Sequence, residues 1–101
     1  MEKVTDRFLR YVQIDTQSDE EGTGTPTTEK QHELARLLVE ELTKMGAEEI
    51  TYDKEHCYVY ASIPATEGME KKPVMGFISH MDTSPAVSGA NVRPRIITAY
   101  D

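Results

Sequence analysis

The chain has 101 residues, a formal net charge of −7 and one cysteine, and Leu, Ile, Val and Phe together fill only 20 positions. An acidic surface repels phosphate backbones and anionic headgroups, which argues against nucleic acid and membrane as partners. Cys57 has no internal partner, and no apolar run reaches the ~18 residues of a membrane span, so the expectation is a soluble, cytoplasmic chain.

Residues 2–14 are predicted as a short amphipathic helix, because Val4, Phe8, Tyr11 and Val12 recur at spacings of three and four. Residues 15–27 have loop composition, and Asp15, Asp19, Glu20 and Glu21 predict that most of it is solvated. A second helix is predicted over about 28–45. Leu34, Leu37, Leu38, Leu42 and Met45 form its apolar face, with Thr27 or Thr28 as cap and Gly46 as terminator. His32 falls in its charged half and reads as solvated.

The period then changes to two. Residues 48–53 and 57–63 read as strands joined by a short loop at 54–56, a hairpin. Cys57, Val59, Ala61 and Ile63 share one face of the second strand, and Tyr58 and Tyr60 the other. Residues 74–79, VMGFIS, form a continuous apolar run, as expected of a strand covered on both faces. Residues 95–100 are a further strand candidate. The order predicts an α/β layer structure, a mixed sheet flanked by helices.

The chemistry concentrates at His80-Met81-Asp82, where the apolar run ends. Ligand sites of open α/β sheets gather at the carboxyl ends of strands. Residues i and i+2 of a strand point the same way. Asp82 is therefore placed to hold one ring nitrogen of His80 while the other faces a metal. Thr83, Ser84 and Pro85 are expected to bend the chain away and leave this edge open. The tripeptide alone is more often a structural histidine beside a hydrogen-bonding acid, and a catalytic zinc needs about three protein ligands. The other candidates are weaker. His56 and Cys57 are adjacent, so on a strand they face opposite ways. Cys57 reads as a small apolar residue rather than a nucleophile. Asp19, Glu20 and Glu21 lack calcium-loop spacing, and Gly22-Thr23-Gly24 lacks the setting of a dinucleotide loop.

Several segments resemble the peptidase T family of dizinc aminopeptidases, in order and spacing. GFISHMDTSP at 76–85 is similar to its metal-binding segment, and FLRYVQIDTQS at 8–18 to its opening helix and following loop. PTTEKQHELARLLVEEL at 26–42 resembles its second helix, with Lys30 where a glycine is expected. YVYASIPA at 58–65 and SGANVRPRII at 88–97 continue the likeness. The resemblance implies a zinc-peptidase catalytic domain, of which residues 1–101 are an amino-terminal part. The remainder of that domain, and an inserted domain used in dimer contacts, are absent from these residues. It implies a tripeptide aminopeptidase acting on short peptides, with a homodimeric parent and two zinc ions. By the same resemblance His80 is a metal ligand, the only one here, and Asp82, counted among the catalytic residues, is the acid that orients it. The chain alone is then expected to be inactive. Two rivals stay open: a related zinc amidohydrolase acting on acylated amino acids, and a non-catalytic binding module that keeps the fold.

Overall fold

The helical spacing of the first half gives α1, Val4–Val12, and α2, Gln31–Lys44, in a computed structural model that describes residues 2–100. Then come β1, Glu48–Asp53, and β2, Tyr58–Ser62, an antiparallel pair. Helix α2 packs against this sheet, and the two helices with the strand pair make an α/β fold, as the residue pattern predicts.

Helix α2 ends as its sequence dictates. Gly46 takes φ +83°, a left-handed conformation that glycine adopts without a Cβ clash. The Gly46 amide donates to the Thr43 carbonyl and the Ala47 amide to the Leu42 carbonyl, at 3.1 and 3.0 Å. These two bonds satisfy carbonyls that the helix leaves open. The other end departs from expectation. Neither Thr27 nor Thr28 caps it, and Lys30 at the cap position makes no side-chain cap bond. The Thr28 hydroxyl donates instead to the Gln17 carbonyl at 2.8 Å and accepts from Gln31 Nε2 at 2.9 Å. The hydroxyl that would cap α2 is spent on tying down the preceding loop.

The hairpin turns over residues 54–57, with Cys57 at φ +60°. Asp53 Oδ1 accepts from the amides of Glu55 and His56 at 3.1 and 3.2 Å, which fixes the turn. Tyr52 pairs with Val59 and Asp53 with Tyr58, and the register slips between Glu48 and Thr51. Ile50, Tyr52 and Val59 are half-buried, while Ala61 and Ile63 are exposed, so only part of the predicted apolar face of the second strand is covered.

Leu34, Ala35 and Cys57 are buried, and they mark the small core between α2 and the hairpin. His32 is not solvated as predicted. Its ring packs against Tyr52 with centroids 5.9 Å apart, and Nδ1 hydrogen-bonds the Tyr52 hydroxyl. Helices α1 and α2 are joined mainly by charge. Glu41 meets Arg7 at 3.5 Å and Arg10 at 3.2 Å, and Glu2 also binds Arg10.

The predicted strand at 74–79 does not form. Val74 is 99 % exposed and Phe77 91 %, and the segment joins no ladder. The reason is hydrogen bonding. A buried strand must pair its amides and carbonyls, and no strand lies alongside this one among the described residues. Residues 95–100 are likewise free of strand structure. The Cα radius of gyration, 16.3 Å, exceeds the ~13 Å of a compact chain of this size, because residues 63–100, almost all exposed, add little to the α2–hairpin core.

A histidine–aspartate pair beside an open cleft

His80 and Asp82 meet although no strand holds them. His80 Nδ1 and Asp82 Oδ1 are 2.9 Å apart. With the proton on Nδ1, this contact fixes the tautomer and leaves Nε2 as the lone-pair donor. The His80 side chain is 85 % exposed and Asp82 41 %. Nε2 makes no hydrogen bond among the described residues. The pair borders an open cleft of about 1140 Å³, whose walls include Tyr11, Glu41, Val59 and Phe77. That exceeds the usual ~300–1,000 Å³ of a small-molecule pocket.

A bare imidazole nitrogen whose partner nitrogen is held by a carboxylate suits zinc or another borderline cation. The pair can supply one ligand and its orienting acid. No group of three or more His, Cys, Asp or Glu that could hold a metal occurs among the described residues. The donor set therefore fits one ligand's share of a metal site.

His56, Cys57, Asp19 and Glu20 line the same cleft, but among the described residues none of them joins His80 in a group that could hold a metal. His56 Nδ1 binds Asp53 Oδ2 at 2.9 Å in the hairpin turn. That hydrogen bond to the carboxylate raises the His56 pKa. Cys57 is buried, and burial, with the nearby Glu29 charge, pushes its thiol pKa up. A raised pKa disfavours the thiolate, which argues against Cys57 as a nucleophile.

The predicted loop at 15–27 is exposed at Asp19, Glu20 and Glu21, but its first residues, 15–18, are partly covered. Thr16 is buried. Gln17 and Thr83 form a parallel bridge, and the residues after Asp82 dock there instead of leaving an open edge. The loop is itself braced. Lys30 Nζ reaches Asp15 Oδ2 at 2.9 Å, and Asp15 Oδ1 accepts from the Gln17 amide at 3.1 Å. Lys30, and then the Gln17 amide, hold the Asp15 pKa below the usual carboxylate range. The position where the family resemblance expects glycine thus carries one half of an ion pair. The reading from sequence missed this contact because it spans fifteen residues and follows no periodicity. Lys30→Ala is expected to move the Asp15 titration to higher pH, followed by carboxyl-carbon NMR; an unchanged titration would show that the pair does not form in solution.

Among the described residues no helix is long and apolar enough to cross a membrane. No family model matches the chain. Curated relatives do. The chain is 48 % identical over its whole length to "Peptidase T" of Alkaliphilus oremlandii and 50 % identical to that of Clostridium acetobutylicum. It is 55 % identical, over 94 % of its residues, to "Peptidase T" of Parabacteroides distasonis. It spans about a quarter of the length of these curated relatives, as an amino-terminal part.

Proposed function

From a chain that belongs to the peptidase T family, as an amino-terminal part of it, we propose a zinc-dependent aminopeptidase that releases the amino-terminal residue from tripeptides. That activity belongs to the complete protein that carries this chain. One observation supports it most: His80 presents a bare Nε2 while Asp82 holds its Nδ1 at 2.9 Å. In this reading His80 is a metal ligand. Asp82, counted among the catalytic residues, is the carboxylate that orients His80, keeping the imidazole in the correct tautomer and raising its basicity. Two zinc ions complete the site with ligands from outside the described residues. Bound zinc supplies an activated water and a polarised carbonyl.

Residues 1–101 are the amino-terminal part of the catalytic domain in this account, with the rest of that domain and a dimerisation domain lying elsewhere in the protein. The uncovered 74–79 segment supports this, since its apolar side chains match a central strand that needs neighbours on both faces. Short peptides are the substrates and a homodimer is the assembly. The net charge of −7 disfavours nucleic acid and anionic membrane, and the lone, buried Cys57 suits the cytoplasm.

The test is tripeptide hydrolysis by the complete protein with and without a chelator, with acylated amino acids as competing substrates. Chelator-sensitive release of the first residue is expected. Asp82→Ala should lower turnover roughly 10–100-fold, the loss typical of an outer partner of a metal ligand. Turnover of acylated amino acids alone would favour an amidohydrolase, and no metal-dependent turnover of either would contradict the proposal.

A further inference from the structure

The His80–Asp82 contact is nearly bare of packing, so something else must fix where its backbone lies. The bonds that do this converge on three residues. The Ser18 amide donates to the Thr83 carbonyl at 3.0 Å, and the Ser18 hydroxyl donates to the same oxygen at 2.9 Å. The Thr83 amide donates to the Thr16 carbonyl at 3.1 Å. Gln17 Nε2 donates to the Pro85 carbonyl at 3.1 Å. Among the described residues these are the hydrogen bonds that join residues 73–100 to the rest of the chain. All of them fall within three residues of Asp82.

The gripping loop is held from behind. Thr28 bonds the Gln17 carbonyl, and Lys30 pairs with Asp15. Gly89 closes over the junction. A Cβ added there would lie 2.7 Å from Asp15 Oδ1 and 3.2 Å from Thr83 Oγ1. Asp15 Oδ1 is already engaged by the Gln17 amide, so it cannot swing aside without releasing the turn.

We propose that the Thr16–Ser18 loop is the positioning element of the His80–Asp82 site, and that Ser18 is the positioning residue whose paired bonds to the Thr83 carbonyl set the Asp82 carboxylate against His80. This rests on the metallopeptidase reading above. Ser18 also lines the cleft, so an unchanged KM is what separates positioning from substrate contact. Ser18 acts by restricting the backbone one residue past Asp82. An error of about 1 Å in a catalytic group can cost on the order of 100-fold in rate.

The experiment compares Ser18→Ala, Ser18→Thr and Gly89→Ala in the complete, zinc-loaded protein. Ser18→Ala should lower kcat roughly tenfold, the lower end of losses for outer partners of a metal ligand, with KM, zinc content and near-UV circular dichroism unchanged. Ser18→Thr, which keeps the hydroxyl, should restore most of it. Gly89→Ala should lower kcat similarly and speed amide exchange at Thr83. A kcat within twofold of the unmodified protein for Ser18→Ala overturns the inference. So does a loss that tracks unfolding and is not restored by threonine. Absence of metal-dependent activity in the unmodified protein would instead sink the functional reading. The grip is then judged by exchange, and an unprotected Thr83 amide in the unmodified protein overturns it on its own.

Discussion

Replacing His80 with alanine in the complete protein should abolish measurable tripeptide turnover, a loss beyond the roughly 10–100-fold expected for an outer partner such as Asp82. In the proposed reading, loss of His80 removes a ligand, whereas loss of Asp82 only disorders one. The fold should survive. The His80 side chain is 85 % exposed and its one hydrogen-bond partner is Asp82. Surface substitutions of this kind usually change stability by less than about 0.5 kcal/mol. Unfolding midpoints of the two proteins should therefore agree while zinc content falls in the variant. Undiminished turnover in His80→Ala would remove this residue from the metal site.

The second large effect is a contrast between chain and whole. Purified as 101 residues, the chain should hydrolyse no tripeptide, and dialysis should leave it without a tightly held zinc. A catalytic zinc takes about three protein ligands, and the described residues bring His80 near no second or third one. The apolar 74–79 segment is also uncovered, so this form should bind hydrophobic dyes more than the complete protein does. One or two zincs retained per chain after dialysis, with chelator-sensitive turnover, would contradict this.

Periodicity carried the reading of α2 and the hairpin because both bury one face against the other. Leu34 and Ala35 fall where the helical spacing places the core, and Gly46 ends the helix by its positive φ. The VMGFIS run misled in a specific way. Its composition states what the segment needs, cover on both faces, but hydrogen-bonding partners are a property of neighbouring chain. With none alongside among the described residues, it stays unpaired and exposed. His32 misled for the opposite reason, since its neighbours in sequence are charged while its partner, Tyr52, lies twenty residues on.

The His80–Asp82 contact was legible from a two-residue spacing, and it forms here without a strand ladder. The loop that anchors it was not. Asp15, Thr16, Gln17 and Ser18 look like solvated loop because their polarity is visible in the sequence and their partners are not. Those partners, Lys30, Thr83 and Pro85, sit up to 68 residues away. A buried threonine in a polar stretch is the sign of such an arrangement, and only three-dimensional placement shows the burial of Thr16.

The account turns on whether His80 holds zinc. X-ray diffraction from crystals of the complete protein, with anomalous data collected on both sides of the zinc absorption edge, locates the metal without reference to activity. The expected result is an anomalous peak about 2.0–2.1 Å from His80 Nε2, with Asp82 still on Nδ1. A zinc-loaded, active protein with no anomalous peak beside His80 would contradict it.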